Sequence, residues 1–130
     1  MNDAPEPSEQ IRLKQRKEYL AIRDALSDEE RELLSARIIS RLKSYLESIG
    51  AEFLHCYISF RSEVETRDFI DEVLDRGLRI VVPIVETLDG SQFLVHTEIT
   101  GLVELRAGVF GLDEPVERNP ASLDGLDAVI

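Results

Sequence analysis

The chain has 130 residues, of which 43% are hydrophobic and 32% charged, with a formal net charge of −11 at pH 7. This length and composition predict one soluble globular domain with a hydrophobic core of its own. The acidic balance argues against general nucleic-acid binding, which needs a basic surface. No apolar run is long enough to span a membrane, no signal peptide is present, and the single cysteine, Cys56, precludes an internal disulfide. We therefore expect a cytoplasmic protein without nucleic-acid or membrane partners.

The chain begins with a polar, proline-rich segment. Residues 1–8 predict a disordered tail, and residues 9–130 are interpreted as a single α/β domain. A first helix is indicated from Ser8 to Leu26, and one of its sides carries Arg12, Arg16, Tyr19 and Arg23. Two interpretations of this cationic stripe stay open: a solvated face beside a buried leucine edge, or a phosphate-binding surface.

The second predicted helix is a packing helix. Ser27 and Glu30 have the spacing of a capping box, which begins a helix, and Gly50 ends it. Apolar residues recur at helical spacing along it and predict the face that packs on the core: Leu34, Ile38, Leu42, Tyr45 and Ile49.

A strand, a loop, a helix and a second strand follow. Residues 53–60 are apolar enough for a strand that is covered on both faces, and Thr66 is the predicted N-cap of the next helix. That helix has a predicted buried face of Phe69, Ile70, Val73 and Leu74. Residues 78–82 predict the second strand, which Pro83 closes. Two strands joined by one helix should be parallel with a right-handed crossover.

The loop of residues 61–66 is where we expect a ligand. It leaves the carboxyl end of the first strand, and ligands of open α/β sheets bind beyond that end. Glu63 and Glu65 both lie in this loop, so one carboxylate can point into the crevice and the other out.

The rest of the chain is less regular. Asp89-Gly90 predicts a turn between two antiparallel strands, of which the second covers residues 92–99. Residues 105–115 predict a loop with little regular structure, either a plain connection or a segment that approaches a ligand. Residues 126–130 read as the opening of another buried strand, from which we infer a fragment or a truncated product.

No chemistry can be assigned from spacing alone. Neither common glycine-rich phosphate motif is present, and no catalytic set of Ser, His, Asp or Cys can be selected. His55 and Cys56 should point to opposite faces of one strand, as core or near-core residues. No metal cluster is predicted, because His55 and His96 are far apart and Cys56 has no companion thiol.

Five segments, in order, resemble the 5-formyltetrahydrofolate cyclo-ligase family, also called 5,10-methenyltetrahydrofolate synthetase. They are RKEYLAIRDALSDEER, YISFRSEVETRDFI, GLRIVVP, LRAGVFGLDEP and LDGLDAVI. The resemblance runs from about Arg12 to Ile130. It implies a three-layer α/β/α sandwich with a mostly parallel sheet, of the type shared with sugar-phosphate isomerases and CoA transferases, incomplete at the C-terminus.

The resemblance also implies a function. Family members convert 5-formyltetrahydrofolate to 5,10-methenyltetrahydrofolate in folate one-carbon metabolism and consume ATP with Mg²⁺, so a folate and ATP are the expected small-molecule partners. The family's glycine-rich nucleotide loop lies beyond the strand that begins at Leu126. A catalytically inactive folate-binding or regulatory remnant is therefore the alternative, and the shared layer arrangement leaves a different small anionic ligand open as well.

Carried over by position, the resemblance assigns Glu63, Ile58 and Phe110 to substrate binding and Arg12 and Arg16 to nucleotide binding. It assigns no metal ligand within the chain. Two positions depart from the family's pattern: Gln15 stands where its first helix has a leucine, and Ile84 stands where a basic residue often follows the proline of the second strand.

Overall fold

The computed structural model of the chain describes residues 6–102, 105–107, 113–115 and 118–130. The helices in these ranges are α1 (Pro7–Asp24), α2 (Asp28–Ser48) and α3 (Arg67–Asp75). The strands are β1 (Phe53–His55), β2 (Arg79–Leu88), β3 (Ser91–Ile99), β4 (Leu105–Ala107), β5 (Asp113–Pro115) and β6 (Ala128–Val129). Helix α1 thus begins two residues before the predicted domain start at residue 9, so residues 7 and 8 belong to the helix, while the predicted tail stays a prediction for the residues before it.

A mixed, mostly parallel sheet with flanking helices confirms the predicted α/β fold. Its strand order is β3-β2-β1-β6. Strand β1 runs parallel to both β2 and β6, and β2 pairs antiparallel with β3 across the Asp89-Gly90 turn. Helix α3 is the crossover between the two parallel strands β1 and β2, as the sequence predicted.

The core lies between one face of this sheet and the helices α2 and α3. Its buried side chains come from α2, α3, the strands β1, β2 and β3, and the residue that follows β1: Leu46, Leu54, Cys56, Phe69, Ile70, Val73, Ile80, Val82 and Ile99. Each large apolar side chain buried in this way stabilises the fold by about 1.5–3 kcal/mol. Gly77 ends α3 at φ +87°, a backbone conformation that a side chain at Cβ would disfavour.

Helix α2 packs through a different face from the one predicted. Its capping box is present, since Ser27 Oγ accepts from Glu30 N and the Glu30 carboxylate accepts from Ser27 N. The residues turned toward the core are Ser35, Ile39, Leu42 and Leu46. Of the predicted face only Leu42 packs there, and Leu34, Ile38, Tyr45 and Ile49 are exposed.

The two central strands have other limits than predicted. Strand β1 ends at His55 instead of residue 60, because the backbone beyond it bonds to side chains of the following loop. Strand β2 continues through Pro83 to Leu88. Proline is tolerated at that position because its nitrogen points toward the β1 side of β2, beyond the last hydrogen bond between the two strands. That last bond is the one that Cys56 N donates to Val81 O, after which the loop begins.

The later segments also differ from their predictions. Residues 105–115, predicted as a loop, contain the antiparallel pair β4 and β5. Strand β6 forms where expected, but Val129 is 73% exposed and Ala128 is only partly buried, so it differs from the buried strand that was predicted. Helix α1 buries none of its residues. Among the described residues, no helix combines the length and the apolar character that crossing a membrane requires.

Candidate functional site

The loop after β1 is held by a clasp between Thr66 and Ser59. The fully buried Thr66 hydroxyl accepts from Ser59 N at 2.9 Å and donates to the Tyr57 carbonyl at 2.8 Å. In return, Thr66 N donates to Ser59 Oγ at 3.1 Å. Thr66 is the N-cap residue of α3, as predicted, but its hydroxyl ties both ends of the loop together and makes no side-chain cap bond to the helix.

Glu65 is the carboxylate of this loop that faces the protein. Its Oε1 accepts from Ser59 Oγ at 3.0 Å and from Arg67 N at 2.9 Å, so it satisfies a free backbone donor in the first turn of α3. Its backbone N–H donates to Ser35 Oγ of α2 at 3.0 Å. These bonds make Glu65 a structural residue of the loop.

Glu63 is the carboxylate that stays available. Its Oε1 accepts from Phe60 N at 2.7 Å, which fixes the side chain to its own turn. Among the described residues, no hydrogen bond reaches the second oxygen, Oε2, and the residue is only half-buried. An ionised carboxylate oxygen that is oriented but unpaired can accept hydrogen bonds from the N–H groups of a ligand.

Tyr57 lies beneath this turn. Its hydroxyl donates to the Val64 carbonyl at 3.0 Å. Burial raises the pKa of the phenol, the negative charge of Glu63 raises it further, and the positive charge of Arg23 acts in the opposite direction. The phenol thus interacts electrostatically with both Glu63 and Arg23.

The end of α1 and the start of α2 both touch the loop. Arg23 Nε donates to Ser62 Oγ at 2.9 Å, and the same hydroxyl donates to the Asp24 carboxylate. Arg31 of α2 donates to the Arg61 carbonyl at 3.0 Å. The cationic side of α1 therefore meets the carboxylate loop at its C-terminal end, as expected if the two form one site.

The predicted nucleotide residues lie further along the same side of α1. At 1.5 Å per residue, Arg16 is about 10 Å and Arg12 about 16 Å from Arg23 along the helix axis. Both side chains are exposed, and neither makes a hydrogen bond or ion pair with another described residue. The stripe thus runs from the loop outward, and its role in binding a nucleotide stays a prediction.

Of the two other predicted substrate residues, the described part of the chain contains Ile58. Ile58 is half-buried and packs against the edge of the hydrophobic core. Its contact with a substrate stays a prediction. Phe110 lies outside the described residues.

His55 and His96 form a pair that the sequence did not predict. Their imidazole nitrogens Nε2 and Nδ1 are 3.0 Å apart, and the rings meet edge to face. The strand register places both on the sheet face that carries Val81 and Pro83, on either side of β2. The interpretation of the two histidines as far apart is therefore wrong. No three His, Cys, Asp or Glu side chains of the described ranges lie close enough together to hold a metal ion.

Sequence reasoning missed several residues of the site. Ser35 accepts a hydrogen bond from the backbone N–H of Glu65, but the sequence analysis did not select it. A signal was present, because Ser35 stands at i where Ile39, Leu42 and Leu46 stand at i+4, i+7 and i+11, on the inward side of α2. Ser62 and Tyr57 carry no such signal, because their roles depend on where α1 ends in space. A groove of about 670 Å³ between α2 and α3 is lined by Glu65 but not by Glu63.

Comparison with known proteins identifies the family of this site. The model of the 5-formyltetrahydrofolate cyclo-ligase family matches residues 7–129. The chain belongs to this family. It is also similar to the NMR structure of 5,10-methenyltetrahydrofolate synthetase from Aquifex aeolicus, with 30% sequence identity and a TM-score of 0.73 over 89% of the present chain. A search of curated proteins found no match.

The present chain spans 57% of the length of this relative. The residues that the family model matches contain α1, the loop after β1 and the four-stranded sheet, and these elements hold Glu63, Arg23 and Ser62. Family membership is thus in agreement with the resemblance seen in the sequence segments.

Proposed function

We propose that the protein takes part in the ATP-dependent conversion of 5-formyltetrahydrofolate to 5,10-methenyltetrahydrofolate, in the cytoplasm, with Mg²⁺ as the metal that accompanies ATP. Its membership in the cyclo-ligase family and its likeness to a methenyltetrahydrofolate synthetase support this reaction class. The observation that carries the proposal is the oriented, unpaired carboxylate oxygen of Glu63 at the carboxyl end of β1.

In the proposed role, Glu63 recognises the pterin ring of the folate. The edge of a pterin offers N–H donors, and a carboxylate that is fixed on one oxygen presents the other to them without losing further side-chain entropy. Ile58, beside the core, supplies an apolar contact to the same ring system. Phe110 is proposed as a further substrate contact on the strength of the family pattern alone.

Arg12 and Arg16 are proposed to bind the nucleotide phosphates. Guanidinium groups form paired hydrogen bonds with phosphate oxygens, and both side chains are exposed on the stripe that begins at the loop. With positive charge on one side and a carboxylate on the other, these residues would hold the two substrates in a fixed mutual orientation. Such positioning and charge neutralisation are the main demands of phosphoryl transfer.

A second candidate function is folate binding without turnover, as an inactive or regulatory protein. It is favoured by the contrast between Glu63, whose carboxylate Phe60 N holds in place, and Arg12 and Arg16, which no other described residue holds.

Calorimetry with 5-formyltetrahydrofolate tests the role of Glu63. The Glu63→Gln variant keeps an oxygen that can accept from Phe60 N but removes the charge, so the loop should keep its shape. We expect folate affinity to fall by about 1–3 kcal/mol, or roughly 5- to 150-fold. Glu29→Gln, at an exposed site in the first turn of α2, is the matched control and should bind as the wild type does.

Three results separate the possibilities. Formation of the methenyl product, followed by its absorbance and dependent on ATP and Mg²⁺, supports the enzyme. Folate binding that Glu63→Gln weakens, without turnover, supports the second candidate. Absence of any folate binding by the wild-type chain would reject both.

A further inference from the structure

The tip of the loop after β1 is a tight turn with a strained backbone. Glu63 N donates to the Phe60 carbonyl at 3.2 Å, so residues 60–63 form the turn. Its second residue, Arg61, has φ +52°, in the left-handed region where the Cβ of an L residue crowds the neighbouring backbone. Glycine is the usual residue at such a position. A strained residue persists only where its surroundings hold it, and such residues cluster at functional sites.

Contacts from two helices hold this turn. Arg31 of α2 donates to the Arg61 carbonyl at 3.0 Å, which fixes the strained residue from one side. From α1, Arg23 Nε donates to Ser62 Oγ at 2.9 Å, and Ser62 Oγ donates to the Asp24 carboxylate. We call this contact of three residues the Ser62 bridge. Because the hydroxyl is both donor and acceptor in the bridge, its rotation is fixed.

The acidic residue of the bridge acts on the loop and not on its own helix. Asp24 is the last residue of α1. A carboxylate is unfavourable at the C-terminus of a helix, where the helix dipole is negative. Asp24 therefore does not stabilise α1, whereas it does accept the hydrogen bond that orients the Ser62 hydroxyl toward Arg23.

The bridge also determines where the Glu63 carboxylate lies, because Glu63 follows Ser62 directly. The bond from Phe60 N to Glu63 Oε1 joins two residues of the same turn, so it moves with the turn. The contacts to α1 and α2 hold the turn relative to the rest of the domain. Helix α1 also carries Arg12 and Arg16, so the bridge ties Glu63 to the helix that is proposed to bind the nucleotide.

We propose that Arg23 and Ser62 are positioning residues, which hold the turn so that the second carboxylate oxygen of Glu63 faces the folate. This inference rests on the proposed function, because it takes the folate as the ligand of Glu63. Neither residue needs to touch the folate in this role. Their effect on binding therefore passes through Glu63, which distinguishes them from residues that bind the ligand directly.

Calorimetry with 5-formyltetrahydrofolate tests the role of Ser62. Ser62→Ala removes the bridge and should weaken folate binding about 5-fold, which corresponds to one hydrogen bond that holds the turn. Ser62→Thr keeps a hydroxyl at this position and should bind as the wild type does. Ser44→Ala is the matched control, because it removes a hydrogen bond to Ser40 O within α2, and it should leave the affinity unchanged.

The same measurement tests the role of Arg23. Arg23→Met removes the guanidinium from the bridge and should weaken folate binding by about the same factor as Ser62→Ala. Arg76→Met is the control of equal charge. It removes the ion pair with Glu47 at the opposite end of α3 from the loop, and it should bind folate normally.

Combined variants separate positioning from direct contact. Glu63→Ala removes the carboxylate, so adding Ser62→Ala to it should weaken folate binding no further. A residue that contacts the folate itself would weaken binding in both backgrounds. An equal loss with and without the Glu63 carboxylate would therefore overturn the inference.

Amide hydrogen exchange followed by NMR monitors the turn without a ligand. In Ser62→Ala the amide of Phe60, which donates to Glu63 Oε1, should exchange at least about 5-fold faster than in the wild type. Ser62→Thr should restore the wild-type rate. The amide of Ile70, which donates to Thr66 O at the start of α3, is the internal control and should exchange at the same rate in all variants.

The outcomes distinguish this inference from the proposed function. Folate binding that Glu63→Gln weakens and Ser62→Ala leaves unchanged would overturn the inference while the proposed function stands. Absence of folate binding by the wild type would reject the proposed function, and the exchange rates would then decide whether the bridge holds Glu63. Faster exchange of the Phe60 amide in Ser62→Ala supports the bridge in that case, and an unchanged rate overturns it.

Discussion

The buried hydroxyl of Thr66 should stabilise the protein far more than its methyl group does. In Thr66→Val the shape is kept and the hydroxyl is lost, which removes the bonds to Ser59 N at 2.9 Å and to Tyr57 O at 2.8 Å. Ser59 is itself buried, so its N–H is left without a partner and without water. We expect a loss of about 2–4 kcal/mol, counting one stranded donor and one lost acceptor contact.

The matched variant is Thr66→Ser, which keeps both hydrogen bonds and removes one buried methyl group. It should cost only about 1 kcal/mol. Urea unfolding gives the free energy of each variant, and for a domain of this size the valine variant should melt about 10 °C below the wild type. If the serine variant were as unstable as the valine variant, the clasp would contribute nothing and the loop would depend on packing alone.

Two further perturbations probe the surroundings of the site. Burial and the neighbouring His96 lower the pKa of His55, so the unfolded chain takes up a proton more readily than the folded one. Stability should be complete above pH 6.5 and fall as the pH drops below it, and urea midpoints across this range should show a smaller fall in His55→Gln. Tyr57→Phe removes the bond to the Val64 carbonyl and should cost about 1 kcal/mol of stability. If that loop also positions Glu63, folate affinity measured by calorimetry should fall as well, whereas unchanged affinity would show that the phenol acts on stability only.

Local chemistry made much of the fold predictable. The Ser27 and Glu30 capping box, the buried face of α3 and the turn at Asp89-Gly90 all form as predicted, because each depends on residues within a few positions of one another. The parallel pairing of β1 and β2 could be predicted as well, since a single helix connects the two strands.

Predictions failed where the outcome depended on distant partners. Periodicity showed that α2 is amphipathic, but Leu34 and Leu46 are equally plausible core residues until the position of the sheet is known. Likewise, β1 ends early and β2 continues through Pro83 because of which backbone groups lie beside them, and no local pattern contains that information.

The amino-acid sequence by itself determined that Glu63 stands in a loop at the end of the first parallel strand, because strand, loop and helix follow one another within some twenty residues. Only the tertiary structure decided that the Glu65 carboxylate is hydrogen-bonded to Ser59 and Arg67, while Glu63 keeps one oxygen without a hydrogen bond among the described residues. It also decided that Arg23 and Ser35 reach the loop from two other helices. The reason is that a hydrogen bond needs its partners within about 3 Å. Arg23 and Ser62, 39 positions apart, and Ser35 and Glu65, 30 positions apart, reach that distance only through the packing of the helices on the domain, and this packing also fixes the loop conformation in which Glu65 and Glu63 find their nearby partners.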